Sequence, residues 1–579
     1  MAEHWLSIVL PLLVTLLLSV TMGRYLARVV TGAPTWVDPV FDPVDNGIYR
    51  LVGRRICSQA MDWKAYTAHM LATNLVMALI IYLVLVFQDR LPLNPLNFPA
   101  VEPTLAFNTA ISFITNTNWQ SYGGESTLSN FSQMAAITFP MFTSAATGFV
   151  VAIAFIRGLL AKDGGQNLGN FYRDLVRFTT RVLLPVVLVA ATFLVWQGVP
   201  QTLDGGVAVH PVQGGSQTLV LGPVASQEAI ENLGTNGGGF YNVNAAHPLQ
   251  NPTPLTNLLL LLLMASLPAA LVVMFGRMIG NTRQAVVIYA VMGVLLLGFL
   301  AMTVAPEQAG TPMLEHAGIQ MQATDGALLA QPGGNMEGKE VRFGVTQSAL
   351  YAAYTTAFTT GSVNSAHDSF TPVGGMPLLM QMMLQCVYGG KGVGFLNFLV
   401  YGLIGVFVAG LMVGRTPEFM GKKIEKPEII LVSLALLIHP LVILAPSAWS
   451  MVAPYGLSSL NNTGPHGYSE VLYAFASAAA NNGSAFAGLN ANTPWYNIAI
   501  AVVILIGRYP PIIFLMAVAG SLAAKPAVAP TAGTLRTDTP MFGAWWLATI
   551  LIVGALTFLP ALVMGPIAEH FAATHSLLF

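Results

Sequence analysis

The heptapeptide Gly234-Thr235-Asn236-Gly237-Gly238-Gly239-Phe240 lies between two apolar runs that are each long enough to cross a membrane. Three consecutive glycines are unfavourable inside a helix or a strand, but they allow main-chain carbonyls to turn toward a common point. Irregular backbone at membrane depth persists only where it is buried in protein or lines a water-filled path. Carbonyls around such a path replace the hydration shell of a metal cation. The stretch therefore indicates either an ion-coordinating loop or a glycine-rich surface turn.

Three related polar segments favour the ion-coordinating loop. Counted from Thr115, Thr235, Thr359 and Asn481, successive copies begin 120, 124 and 122 positions apart, with the third copy uncertain by one position. Self-similarity at a nearly fixed period indicates an internal repeat. The predicted filter residues are Thr115, Asn116, Thr117 and Asn118; Thr235, Asn236, Gly237 and Gly238; Thr359, Thr360, Gly361 and Ser362; and Asn481, Asn482, Gly483 and Ser484.

The composition is that of a membrane protein. Of the 579 residues, 54% are hydrophobic and only 8% are charged, whereas about a quarter of the residues of a soluble domain are charged. The net charge of −1 suggests no nucleic-acid partner, and the two cysteines, Cys57 and Cys386, provide neither a disulfide framework nor a metal cluster. The first apolar segment, 5–22, lacks a basic start and a cleavage site, so we expect a retained helix rather than a signal peptide.

About 20 apolar residues span the hydrocarbon core as a helix, and ten such runs occur. They cover roughly 5–28, 66–88, 131–161, 174–197, 254–276, 282–304, 373–414, 428–451, 494–523 and 541–564. The seventh run is too long for one helix, and we expect it to break near 388–395. The second to ninth runs form four pairs, and each pair brackets one polar segment.

We therefore predict an all-α polytopic membrane protein with ten transmembrane helices. Four membrane–pore–membrane repeats surround a pseudo-fourfold pore, and two helices are additional. The predicted divisions are an N-terminal helix with a cytoplasmic loop (1–65), repeats one to four (66–165, 166–280, 281–426 and 427–525) and a C-terminal extra helix (526–579).

The basic residues predict the orientation, because cytoplasmic loops carry an excess of Lys and Arg. Twenty of the 24 basic residues, Lys162 among them, lie on one side of the ten-span arrangement. Arg90, Lys339 and Arg342 lie on the other side, and Lys391 falls inside the break of the seventh run. The polar segments then enter from the outside, and both termini are outside as well. The long loops 197–225 and 305–346 are expected to form exposed lobes around the outer mouth.

A short half-helix precedes each polar segment. The four segments, 104–114, 226–233, 348–358 and 469–480, each begin with a hydroxyl residue that can cap a helix. Glu228 and Glu470 are expected in the first turn, where a carboxylate suits the helix dipole. The negative end of each dipole would then point at the ion site and favour a cation.

The predicted filter supplies neutral oxygens and no carboxylate. A divalent cation usually requires Asp or Glu ligands, whereas rings of neutral oxygens suit a large monovalent ion, potassium before sodium. Gln120, Asn242 and Asn244 follow the filter segments closely. They either orient the filter backbone or receive the ion beneath it, unless they only cap the nearby backbone.

Three basic residues are candidates for a gate. Lys391 lies in the sequence 388–394 (YGGKGVG), which lacks the spacing of a nucleotide-binding P-loop and falls inside the seventh run. It is either a plug or tethered cation beneath the filter, or a lysine that extends to the inner interface. Arg415 and Arg508, near the inner ends of runs seven and nine, either gate the pore or hold cytoplasmic loops. His439 and Trp449 are interpreted as core or interface residues.

Five motifs together resemble one family over essentially the whole chain. They are 115–120 (TNTNWQ), 235–257 (TNGGGFYNVNAAHPLQNPTPLTN), 367–370 (HDSF), 410–423 (GLMVGRTPEFMGKK) and 464–489 (GPHGYSEVLYAFASAAANNGSAFAGL). The sequence resembles the potassium-binding A subunit of the Kdp-type potassium-transporting ATPases. That family belongs to a superfamily of four-repeat potassium transporters, in agreement with the repeat.

The resemblance implies a function and partners. The family's A subunit binds potassium from outside and passes it through an intramembrane tunnel to a P-type ATPase B subunit in the cell inner membrane. A single-span C subunit and a small F peptide complete the complex, and the A subunit has no cofactor of its own. The family's main filter positions match Asn116, Thr235, Thr360 and Asn481, with Gly237, Gly361 and Gly483 beside them.

Two other functions remain open from the sequence. A stand-alone four-repeat potassium channel or cation symporter would conduct without ATP and needs an open vertical path past Lys391. A secondary transporter for an organic solute usually has inverted repeats and a midplane site, which the four parallel repeats argue against. The chain has no phosphorylation loop and no P-loop, so active transport requires a catalytic partner, and we expect no enzyme activity from this chain alone.

Overall fold

Ten helices in the described part of the chain are long and apolar enough to cross a membrane, which confirms the predicted all-α membrane fold. The computed structural model describes residues 2–161, 164–312, 318, 333–528 and 534–575. Lys162 of the basic set and much of the loop 305–346 lie outside the described residues.

The first half of the chain has the following order. It begins with the helices α1 (Ala2–Thr31), α2 (Asp38–Val52), α3 (Arg54–Ser58), α4 (Trp63–Val86), α5 (Pro103–Ile114), α6 (Asn130–Leu160) and α7 (Phe171–Trp196). Next come the strands β1 (Gly206–Val209) and β2 (Gln217–Val220). The half ends with α8 (Val224–Leu233), α9 (Pro254–Ile279) and α10 (Thr282–Ala309).

The second half repeats the pattern. It contains α11 (Gly344–Ala357), α12 (Pro372–Leu384), α13 (Val393–Met412), strands β3 (Glu418–Phe419) and β4 (Lys422–Lys423), α14 (Lys426–Val452), α15 (Gly464–Ala480), α16 (Pro494–Ala524) and α17 (Pro540–Thr574). Both pairs of strands are antiparallel hairpins. The seventh apolar run is divided into α12 and α13, so the predicted break is confirmed.

Several spans begin at a sequence signal that is easy to explain. Thr253, Thr493 and Thr539 each precede a proline, and each side chain accepts a hydrogen bond from the backbone N–H of the third helical residue. The hydroxyl satisfies a donor that a helix start leaves free, and proline suits the first helical position because it has no N–H. These signals set the starts of α9, α16 and α17.

The two additional helices pack on the outside of the repeats. Helix α1 lies along α9, where Gly23 fits against Val273 and the carbonyl of Ala270. Helix α17 lies against α13, where the Trp546 ring stacks on Phe398 with ring centroids 4.5 Å apart and its Nε1 donates to the Phe398 carbonyl. The segment predicted as a cytoplasmic loop in 1–65 contains the helices α2 and α3. The repeat boundaries themselves stay a prediction.

The four half-helices are α5, α8, α11 and α15, and they begin differently from the prediction. Their first turns are preceded by Glu102, Pro223, Phe343 and Thr463, and none of the four accepts a capping bond through a hydroxyl. The predicted hydroxyl caps are therefore wrong. Each helix starts one to five residues earlier than expected, so Glu228 and Glu470 lie beyond the first turn and contribute little to the dipole there.

Candidate functional site

All four half-helices end in the same backbone conformation. Asn116, Thr235, Thr359 and Asn481 follow α5, α8, α11 and α15 with positive φ values of 62°, 50°, 52° and 54°. The N–H of the next residue then bonds the carbonyl five positions back, over 3.0, 2.7, 2.8 and 2.9 Å in repeats one to four. This pattern is a Schellman motif, which closes a helix with a left-handed residue.

The shared motif defines which residues are equivalent. Asn116, rather than Thr115, begins the first copy, and Thr359, rather than Thr360, is equivalent to Asn116, Thr235 and Asn481. The spacing of sequence motifs did not resolve this shift of one position, because Thr and Asn occur on both sides of each turn. The geometric register places Asn118, Gly237, Gly361 and Gly483 at one level of the filter.

Main-chain carbonyls from different repeats converge at this level. A Cβ added to Gly237 would collide with the carbonyl oxygens of Thr117 and Asn482, and a Cβ on Gly361 would also meet the Asn482 carbonyl. Likewise, a Cβ on Gly483 would meet the Thr117 carbonyl and lie 2.7 Å from the Gly237 Cα. All four repeats thus meet within contact distance, and glycine is required because backbone fills the space.

Several side-chain oxygens around the filter are buried without a partner in the described part of the chain. They are Asn118 Oδ1, Thr235 Oγ1, Asn236 Oδ1, Thr360 Oγ1 and Asn481 Oδ1. A buried polar group without a hydrogen bond is costly, and a cluster of them requires an explanation. All are neutral oxygens, which suit a dehydrated monovalent cation.

Other filter side chains hold the backbone in place. The Asn116 amide donates to the carbonyls of Gly234 and Thr235 over 3.1 and 2.8 Å, which ties repeat one to repeat two. The Asn482 amide similarly donates to the Thr355 carbonyl over 2.9 Å. The filter backbone is therefore fixed before any ion arrives.

Two tyrosines missed by the sequence analysis support the filter from behind. Tyr351 and Tyr473 share hydrogen bonds with Ser362 and Ser484 over 3.1 and 2.9 Å. Each tyrosine lies 11 residues before its serine, in equivalent positions of repeats three and four. The repeat spacing would have revealed this pair if the half-helices had been aligned residue by residue.

Repeat two has an acidic pair behind its filter segment, which the sequence analysis also missed. Glu228 and Glu231 are buried on α8, and the Gln250 amide donates to both carboxyl groups. Glu231 is equivalent to Ser112, Thr355 and Ser477 of the other repeats, because the backbone carbonyl of each of these four residues accepts the Schellman hydrogen bond. These carboxyl groups stand behind the filter backbone of repeat two.

The three amides that follow the filter lie at one end of it, away from Lys391. Gln120 pairs with repeat two, since its Nε2 donates to the Gly239 carbonyl and its Oε1 accepts from the Gly239 N–H, over 3.0 and 3.1 Å. Asn242 and Asn244 line a cavity of about 710 Å³ that also contacts Gly237, Gly361 and Gly483. Gln120 thus orients the filter backbone, and the expectation of a receiving site beneath the filter is wrong for all three.

Lys391 lies at the opposite end of the filter. Its ammonium group is fully buried, donates to the Asn116 carbonyl over 3.1 Å and also donates to the Asn481 carbonyl. Lys391 itself has a positive φ of 50°, and the flanking Gly389 and Gly392 are left-handed as well. The alternative of a lysine that extends to the interface is wrong, because the side chain ends at two filter carbonyls.

The two arginines have different positions. Arg508 lies near the middle of α16 and is 2% exposed, so the expectation that it lies near the inner end of that run is wrong. A Cβ on Gly148 would meet both the Lys391 carbonyl and Arg508 Nη2, which places the arginine beside Lys391. Arg415 is exposed beyond the 20-residue helix α13, roughly 30 Å of helix away from the break. Only Lys391 and Arg508 are brought to the pore.

Ten spans and four re-entrant loops with converging carbonyls define a pore-loop membrane transporter with four repeats. The chain is similar in fold to the potassium transporter TrkH from Vibrio parahaemolyticus, with a TM-score of 0.51 at 14% identity over 89% of this chain and 98% of that one. At this identity the likeness concerns the fold alone.

Sequence comparisons are more specific. Residues 9–571 match the family model described as "Potassium-transporting ATPase A subunit". Proteins named potassium-transporting ATPase potassium-binding subunit are similar: one from Delftia acidovorans is 50% identical over 98% of both chains, and one from Alicyclobacillus acidocaldarius is 51% identical over 98% of both. The chain belongs to the potassium-transporting ATPase A subunit family.

Proposed function

We propose that this chain is the potassium-binding and translocating subunit of an ATP-driven potassium uptake complex. One observation carries the proposal: carbonyls of repeats one and four converge on the filter glycines of repeats two and three, beside buried, unpartnered neutral oxygens. Such an arrangement replaces the hydration shell of a monovalent cation. The names of the relatives supply the ion and the coupling to an ATPase.

In the proposed mechanism, a potassium ion enters the outer cavity and loses its water to the filter carbonyls. The C-terminal ends of α5, α8, α11 and α15 meet the filter, so their partial negative charges stabilise the cation. Lys391 blocks straight passage below the filter. The ion therefore leaves sideways, through an intramembrane tunnel, toward a P-type ATPase B subunit.

Further partners and the location belong to the same proposal. A single-span C subunit and a small F peptide complete the complex in the cell inner membrane. The filter opens to the outside, and both termini lie on that side. The support for this orientation is the distribution of Lys and Arg along the sequence.

Affinity purification of the tagged chain from native membranes tests the proposal. An ATP-hydrolysing subunit should co-purify, and its activity should rise with potassium at concentrations at which sodium has no effect. Purification of the chain alone, with potassium flux into vesicles that needs no ATP, would instead support the stand-alone channel or symporter.

A further inference from the structure

Helix α2 turns its charged face toward the protein. Asp38, Asp42 and Asp45 recur at spacings of four and three and therefore lie on one face. All three bind Arg181 of α7, with N–O distances of 2.9, 2.5 and 2.7 Å. The arginine side chain is completely buried by these contacts. The carboxylates thus dock α2 on the transmembrane bundle.

The opposite face of α2 is apolar and uncovered. Val40, Val44 and Leu51 lie about half a turn away from the carboxylates and are 67%, 48% and 89% exposed. Trp36, just before the helix, is 80% exposed. A helix on a soluble surface has the reverse pattern, with its polar face outward. An outward apolar stripe indicates contact with an apolar environment.

The depth of α2 identifies that environment. The Tyr25 hydroxyl donates to the Arg181 carbonyl over 2.7 Å. Tyr25 lies six residues before the end of α1 at Thr31, which corresponds to roughly 9 Å of helix. The carboxylates of α2 therefore reach into the ends of two membrane spans. This places α2 at the level of the membrane interface rather than in bulk water.

Charge complementarity supports the same conclusion. Arg50 lies between Val44 and Leu51 in the sequence, and Arg54 and Arg55 follow the stripe. All three arginines are exposed and form no ion pair with the described residues. Basic residues at this depth attract anionic lipid headgroups. An apolar stripe beside such a cluster is the pattern of a helix that lies in the plane of the interface.

We propose that α2 is an interfacial helix on the membrane face opposite the filter mouth. Trp36, Val40, Val44 and Leu51 insert among the lipid acyl chains, and Arg50, Arg54 and Arg55 bind anionic headgroups. The Arg181 cluster holds the helix at this depth.

Spin-label accessibility in the full complex tests the insertion. Single cysteines replace Val44 and Leu51, and the labelled protein is placed in vesicles of phosphatidylcholine and phosphatidylglycerol. Leu79, which is 57% exposed on the span α4, provides the lipid-facing control, and Val212 in the exposed loop between β1 and β2 provides the aqueous control. Labels on α2 should collide with oxygen several-fold more than with a nickel chelate, as at Leu79, at a depth of about 5–10 Å.

Two results would overturn the insertion. Labels that behave as at Val212 would place the stripe in water, and labels that reach neither reagent would mean that a protein subunit covers it.

A second variant isolates the headgroup contacts. In the parent protein, omitting phosphatidylglycerol should lower the ratio of oxygen to nickel collisions at the α2 labels, because the helix then lies less deep. In a variant with Arg50, Arg54 and Arg55 replaced by Gln, omitting this lipid should not change the ratio. A parent protein that does not respond to phosphatidylglycerol would remove the headgroup part of the proposal.

Discussion

Thr235 and Thr359 hold a left-handed backbone conformation that is rare for a residue branched at Cβ. Such a conformation costs about 1–3 kcal/mol and persists only where the surroundings impose it. Here the Schellman bonds and the amides of Asn116 and Asn482 impose it. The energy of arranging the filter oxygens is thus supplied by folding rather than by the ion, which favours tight binding.

Gly237→Asp should weaken the apparent potassium affinity of the ATPase activity or relax the preference for potassium over sodium. The new Cβ alone would meet the carbonyls of Thr117 and Asn482, so Gly237→Ala should act in the same direction. A potassium titration of the assembled complex measures both.

Gly165→Asp is the matched control, because an added Cβ there meets nothing within 4 Å. An unchanged titration curve for both Gly237 variants would mean that this level of the filter does not bind the transported ion.

Lys391→Ala should open a leak. Two unit charges about 4 Å apart repel by about 4 kcal/mol at an effective dielectric of 20, and the Lys391 side chain ends at two filter carbonyls. Without it, potassium should cross liposomes that contain the full complex without ATP, and the filter should still exclude sodium.

Lys422→Ala provides the comparison, since among the described residues the Lys422 ammonium group also donates only to carbonyls, those of Ala161 and Lys525, away from the filter. This variant should remain tight. A Lys391→Ala complex as tight as the parent protein, with normal coupling, would exclude Lys391 as the barrier.

At the scale of elements, an ionic contact joins the fourth half-helix to the C-terminal helix. His466 of α15 contacts Glu569 of α17 through Nδ1 over 2.7 Å and Asp368 through Nε2 over 3.2 Å. The Glu470 carboxylate lies close by. Burial lowers the pKa of His466, but its hydrogen bonds to the two carboxylates outweigh this effect and raise the pKa to about 10.

The stabilisation from this contact should depend on pH. Because the folded pKa lies above the unfolded value of about 6.5, the contribution is complete below pH 6.5 and is lost as the pH rises through about 10. His466→Gln should remove about 1.5–3 kcal/mol at neutral pH and flatten this decline. Thermal unfolding of the purified complex between pH 6 and 10 measures both effects.

His210→Gln, in the exposed loop after β1, serves as the control. If the parent protein and the His466→Gln variant lose stability in parallel over this pH range, protonation of His466 does not contribute to stability, and the prediction is wrong.

At the scale of the whole molecule, the orientation in the membrane is open to a direct test. A cysteine at Gly214 should react with an impermeant thiol reagent from outside, and one at Lys423 only from inside. Both positions are exposed, whereas the neighbouring Lys422 is buried and unsuitable. Native Cys57 is buried, which raises the pKa of its thiol and keeps background labelling low. Labelling from the opposite sides would reverse the direction of ion entry.

The sequence by itself determined the ten spans, the four repeats and a break near 388–395, which the structure places at 385–392. Each depends on local properties: apolar length, the period of a polar motif and a run of glycines. The same properties predicted that the filter residues would be buried together.

Tertiary structure decided the rest. The filter register, the contacts of Lys391 with Asn116 and Asn481, the burial of Arg508 and the acidic pair behind repeat two depend on packing between residues that are often more than 100 positions apart. The half-helix starts also differed from the local hydroxyl signal, because these buried helices are held by their surroundings rather than by their caps. Local patterns specify which backbone is irregular, but only the packed molecule specifies which oxygen faces which neighbour.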